Sequence, residues 1–133
     1  MKIKLSEIKD PGNPEKERIV ATVLSDTDLG GYILAETQET SDETISSELK
    51  NVKWLEDQPL KVGDMVIIYT KSGKNGKIIN VDGSTSYFYY WALDNPIGNK
   101  ENVGVILYEA EWSFIKAHPD KIKADEFDDS SSM

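Results

Sequence analysis

The sequence predicts an all-β domain: an antiparallel sandwich of two packed sheets first, with a partly open barrel of OB or SH3 type as the alternative. Three observations lead there. About eight short runs rich in Val, Ile, Thr, Tyr, Phe and Trp follow one another closely, and Gly, Pro, Asn and Asp punctuate the gaps. No stretch carries the 3.6-residue apolar period of a long amphipathic helix.

The first strand is expected over residues 2–8, where Ile3 and Leu5 alternate with polar neighbours before the breaker Asp10-Pro11-Gly12-Asn13-Pro14. Residues 17–24 form the second, with Ile19, Ala21 and Val23 sharing one face. Asp26, Asp28 and the Gly30-Gly31 pair turn the chain into a third strand over 32–35. The next segment, 36–49, is Thr, Ser and acid with only Ile45 and Leu49 apolar, so it reads as a long surface loop that could close in a short helix.

The turn at Asp57 to Gly63 delivers the chain into the densest β-former, DMVIIY. Met65, Ile67 and Tyr69 lie on one face there and Val66 and Ile68 on the other, the pattern of a central strand covered on both sides. Asn75-Gly76 is the strongest hairpin signal in the chain, with Ile78, Ile79 and Val81 after it, and Asp82-Gly83 is a second tight turn. Residues 86–93 form a strand with Tyr87, Tyr89 and Trp91 on one face and Phe88 and Tyr90 on the other. After the Asp94-Asn95-Pro96 break, 103–109 supplies the last strand, and Trp112, Phe114 and Ile115 close the folded part. The domain is thus expected over 1–117, with 118–133 an acidic, Ser-rich flexible tail.

A length of 133 residues suits one domain with its own core. The net charge of -9 and the single arginine, Arg18, argue against a protein that lives by gripping nucleic-acid phosphates. No cysteine is present, which removes disulfides, thiolate nucleophiles and zinc ribbons together. Nothing at the start has the apolar core of a signal peptide, and no segment approaches the roughly 18 apolar residues of a membrane helix. A cytoplasmic protein is expected.

With these residues in view, the chain resembles the lamin-tail domain family. Leu5-Ser6-Glu7-Ile8, then Glu17-Arg18-Ile19-Val20 and Asp28-Leu29-Gly30-Gly31-Tyr32-Ile33-Leu34, are similar to the family's first strands and its Leu-x-Gly-aromatic turn, with Tyr32 where Trp is frequent. Leu60-Lys61-Val62-Gly63-Asp64 leading to Val66-Ile67-Ile68-Tyr69-Thr70 is similar to its approach to a core strand. Tyr90-Trp91, Asn99 and Val105-Ile106-Leu107-Tyr108 supply the closing pieces, so the likeness runs from about Ile3 to Ile115. The resemblance implies an immunoglobulin-like β-sandwich that interacts with other proteins and carries no catalysis, and it transfers no binding residue.

Reactive groups are sparse. His118 is the only histidine and stands at the head of the tail, away from any serine held as a nucleophile would be. Asp26 and Asp28 have the spacing of a calcium loop, but Gly30 and Thr37 occupy positions that need ligands, and a solvated turn is favoured. Neither a metal nor a cofactor is expected. Acid pairs such as Glu56-Asp57 and Glu109/Glu111 read as exposed charge, and SGKNGK lacks the spacing of a phosphate loop.

One region reverses the charge. Between Lys61 and Gly83 four lysines face two acids, and Lys71, Lys74 and Lys77 stand beside the aromatic strand. If Tyr87, Tyr89 and Trp91 were the outward set, they and these lysines would form a partner-binding surface; otherwise the lysines only keep a hairpin tip soluble. The expected function is a non-enzymatic protein-interaction module, with a nucleic-acid-binding barrel and a carbohydrate-binding sandwich as alternatives.

Overall fold

The computed structural model describes residues 1–41 and 44–118. The chain forms an all-β, sandwich-type fold built from two sheets and a small ladder. The first sheet contains β1 (Ile3–Lys9), β2 (Arg18–Val23), β8 (Met65–Tyr69), β10 (Thr85–Tyr90) and β9 (Gly76–Ile79), in that spatial order. In the second, β4 (Tyr32–Ser41) is flanked on one side by β11 (Val103–Glu109) and on the other by β5 (Thr44–Ile45) and β6 (Lys50–Trp54). The short strands β3 (Thr27–Asp28) and β7 (Pro59–Leu60) pair beside them, and a 3-10 turn, Leu29–Gly31, leads into β4.

Strand alternation decides what is buried. Ile19, Ala21 and Val23 of β2, Val66 and Ile68 of β8 and Tyr89 of β10 turn inward against Tyr32 and Leu34 of β4. Val103, Val105 and Leu107 of β11 pack on the same core from its margin. Leu29, Leu55, Leu60, Trp91 and Ile97 close its ends from the connecting segments. The central position expected for DMVIIY holds: β8 is the third of five strands, and its outward residues Met65, Ile67 and Tyr69 are half-buried.

Three features differ from the expected arrangement. The segment after Ala35 is not a loop ending in a helix. β4 runs on through Glu36, Thr37 and Gln38 because β11 pairs with it as far as Gln38, and β5 and β6 pair with its other edge. Glu36 and Thr37 are buried there with partners: Lys100 Nζ and Asn51 Nδ2 donate to the Glu36 carboxylate at 3.0 and 2.9 Å, and Thr37 Oγ1 donates to the Ser46 carbonyl.

Second, among the described residues one ladder is parallel. β8 and β10 run in the same direction, Val66 beside Tyr87 and Ile68 beside Tyr89, whereas the other strand pairs are antiparallel. The parallel alignment is extended past the strands, where Trp91 and Leu93 donate their backbone N–H groups to the carbonyls of Tyr69 and Thr70.

Third, Asn75-Gly76 does not close a hairpin between β8 and β9. β10 lies between those strands, and the hairpin is the one joining β9 to β10 through Val81-Asp82-Gly83. Gly83 takes φ +89°, a conformation costly for other residues, while its N–H bonds the Asn80 carbonyl and Asn80 N–H bonds that of Ser84. Asp82 Oδ1 accepts from both the N–H and the hydroxyl of Ser84.

Trp112, Phe114 and Ile115, expected to end the folded part, are exposed, with Trp112 set edge-on to Trp54 at 5.3 Å. The tail expected over 118–133 lies outside the described residues apart from His118, which is exposed.

Candidate interaction surface

Lys71 follows the end of β8, the third of the five strands, Lys74 lies in the loop that crosses to β9, and Lys77 is in β9 at the margin of the first sheet. Their environments differ. Lys71 Nζ lies 5.5 Å from the centroid of the Tyr69 ring and 4.0 Å from Glu15 Oε1. Lys74 and Lys77 are exposed, and among the described residues neither has an ion-pair partner.

Tyr69 and Tyr90 are neighbours in the parallel ladder, and their rings stack at 5.3 Å with 15° between the planes. Arg18, beside Tyr69 on the antiparallel side, places its guanidinium carbon 5.9 Å from the same ring and donates to Asp10 Oδ2 and the Lys16 carbonyl. Gly73 folds the loop back against Tyr90: a Cβ at that position would overlap the ring. Asn75 then anchors the loop through Nδ2, which lies 3.0 Å from Glu56 Oε2.

The aromatic set expected beside the lysines is turned the other way. Tyr89 and Trp91 are buried in the core and Tyr87 is half-buried against it, because pairing with Val66 and Ile68 points these side chains to the inner face. Trp91 Nε1 donates to the Asn51 carbonyl at 2.8 Å. Burial, with the nearby Glu56 carboxylate, Tyr87 and Asp28, pushes the Tyr89 hydroxyl up to about 12, so it stays protonated in neutral water. Tyr87, Tyr89 and Trp91 therefore form no outward platform. Only the lysines of the expected surface remain at the surface.

What accompanies those lysines is the strand β9. Among the described residues it pairs with β10 alone and forms the margin of the sheet. Ile78 is 57% exposed, Ile79 73%, and Val81 fully exposed in the turn that follows. The opposite margin, β1, carries a bulge between Leu5 and Glu7 and the charges of Lys4, Glu7 and Lys9, devices that discourage pairing with another chain. β9 has an unbroken register, and lysine is its only charged residue. The hairpin turn at Asp82-Gly83 was the sequence signal for this pairing, masked by the stronger Asn75-Gly76 motif.

Asp26 and Asp28, singled out in the sequence, hold backbone, as do two further carboxylates. Asp28 Oδ1 accepts from the N–H groups of Gly30 and Gln58, and Asp26 Oδ1 from that of Val62. Asp64, buried, accepts from Lys61 and Thr85. Glu17, 1% exposed, receives Gly12 and Gly98 on Oε2 and Ile97 on Oε1, each at 2.7 Å. Burial acts to raise the Glu17 pKa, but these bonds and one from the Thr70 hydroxyl outweigh it, leaving the group below its ordinary value. Each of these carboxylates fastens a connecting segment. Among the described residues no three acidic or histidine side chains are grouped as a metal would require, and no helix is long and apolar enough to cross a membrane.

No protein-family model matches the chain, and no curated protein matches it in sequence.

Proposed function

We propose that the chain is a non-catalytic protein-interaction module, of the lamin-tail kind that its motifs resemble, and that it meets its partner through Lys71, Lys74, Lys77 and β9. One observation carries the reading. In a chain of net charge -9, Lys77 in β9 and Lys74 just before it, neither with an ion-pair partner among the described residues, accompany Ile78 and Ile79 at a sheet margin that the described residues leave uncovered. Exposed apolar side chains rimmed by charge are the composition of a contact surface. The buried carboxylates support the absence of catalysis, because Glu17, Glu36 and Asp64 already accept hydrogen bonds that fasten loops and strands.

The nucleic-acid alternative has weaker support. The half-exposed rings nearest the lysines, Tyr69 and Tyr90, stack on each other, and Gly73 lies against Tyr90, which leaves little open ring for a base. A gel shift at low salt would revive that reading.

The test is capture of partners from the native host with wild type, with Lys71→Glu/Lys74→Glu/Lys77→Glu, and with Lys4→Glu/Lys9→Glu at the opposite margin. The first triple variant should lose the partners that the second variant keeps. Identical recovery by all three proteins would reject the lysine loop as the contact.

A further inference from the structure

We propose that β9 receives an extended acidic segment of a partner protein as an added strand, continuing the first sheet by one member. This rests on the interaction reading above and specifies its geometry. The hydrogen-bond pattern of the β9–β10 hairpin supplies the first argument. Asn80 N–H bonds the Ser84 carbonyl at 2.7 Å, and the register continues as Ile79 with Thr85, Ile78 with Ser86, Lys77 with Tyr87 and Gly76 with Phe88. In an antiparallel ladder hydrogen-bonded and non-bonded pairs alternate. Asn80, Ile78 and Gly76 thus spend their backbone groups on β10, while the N–H and C=O groups of Lys77 and Ile79 point away from the sheet. They are the donors and acceptors that an incoming strand would use.

Side chains define what that strand must carry. On one face Lys77 and Ile79 stand at the margin, exposed, and on the other Ile78 continues the row that begins with Met65 and Ser86. Gly76 sits beside Phe88 in the next row, and a Cβ on Gly76 would meet nothing within 4 Å. That open space exposes the flank of the half-buried Phe88 to a large apolar side chain from the neighbouring strand. An antiparallel partner read from its N-terminus therefore offers apolar groups opposite Ile79 and Ile78, a carboxylate opposite Lys77, an aromatic opposite Gly76, and a further carboxylate toward Lys74. A second copy of this chain fits less well, because its own Lys74 and Lys77 would be brought to the same margin.

The probe is the peptide acetyl-Thr-Val-Val-Glu-Phe-Ser-Glu-Glu-amide, titrated into the full isotope-labelled chain and followed by amide chemical shifts. The Lys77 and Ile79 amides should shift most and gain protection from exchange. Ile79→Pro removes an outward N–H without removing a bond to β10, and should weaken binding by at least about tenfold. Ile79→Thr keeps the N–H and should bind within about threefold of wild type. Lys74→Glu/Lys77→Glu should weaken binding by about tenfold or more, and a peptide with lysine for glutamate should not bind. Should Ile79→Pro perturb the fold, the peptide methylated on the backbone nitrogens that face β9 replaces it as the test and should not bind.

Strand addition is overturned if the peptide fails to bind at millimolar concentration, if its shifts fall on Trp54 and Trp112, or if Ile79→Pro or the methylated peptide binds normally. A concentration-dependent dimer abolished by Ile79→Pro would overturn it in favour of a second copy. Partners lost on lysine reversal but kept by Ile79→Pro would leave the interaction module standing and remove strand addition alone.

Discussion

The carboxylate of Glu17 accepts the backbone N–H of Gly98 at 2.7 Å, joining the residue before β2 to a turn 81 positions later. The approach is close enough that a Cβ on Gly98 would lie 2.5 Å from the Gly12 nitrogen, so the two loops meet backbone to backbone with Glu17 between them. Glu17→Gln retains the shape but replaces one accepting oxygen by a donor that faces N–H groups. Loss of charge-assisted bonds at a buried site should cost about 2–4 kcal/mol, read from urea denaturation midpoints.

The same group sets an acid dependence. Its folded-state pKa is depressed below 4.5, so its contribution is fully present above that value and is lost as pH falls through the folded pKa. The stability gap between wild type and Glu17→Gln should be constant near neutrality and shrink in acid. A gap that stays the same at pH 3 would show that the charge of Glu17 contributes nothing.

Tyr89 gives the opposite limb. Its pKa is raised from 10.0 to about 12, so the stability that it contributes is complete below pH 10.0 and is lost as pH rises through about 12. Ultraviolet titration of wild type minus Tyr89→Phe should show a phenol ionising near 12. A difference curve centred at 10 would mean that Tyr89 is not desolvated.

Gly73→Ala should separate the lysine loop from the aromatic pair beneath it. The added methyl overlaps the Tyr90 ring, so either the loop lifts or the ring leaves Tyr69. A loss of about 1–3 kcal/mol with a changed near-ultraviolet dichroism is expected. Unchanged aromatic signals and stability would contradict the packing.

Ala92 follows Trp91 with φ +60°, held by its N–H bond to the Lys71 carbonyl. A residue with a Cβ is strained there by about 1–2 kcal/mol, whereas glycine is not. Ala92→Gly should therefore stabilise the protein by about 0.5–1 kcal/mol after the added freedom of its unfolded chain is subtracted. Thermal denaturation measures the sign, and destabilisation would refute the argument.

The strands that carry their own alternation were legible in the sequence. β1, β2, β8, β10 and β11 appear where Ile, Val and aromatic residues recur at every second position, and β8 is central as its two apolar faces imply. β4 beyond Ala35 was not, because Glu36 and Thr37 read as surface and are buried only through Lys100, Asn51 and Ser46, residues outside any local pattern. Alternation also looks the same in parallel and antiparallel ladders, so nothing near residue 87 declared that β10 would lie beside β8. The surface was half legible: the lysines stand out by charge, but whether Tyr87, Tyr89 and Trp91 or Phe88 and Tyr90 turn inward depends on the register with β8.

The pairing of β4 with β11 imposes a schedule on the newborn chain. One whole side of β4, from Tyr32 to Gln38, finds its mate only in the segment 103–109. At elongation speeds of about 5–20 residues per second, that side waits on the order of several seconds after it emerges. Throughout the interval that side of its backbone is without its β11 mate, and the glutamates at 36 and 39 are the charges within β4, the residue type that breaks an aggregation-prone run.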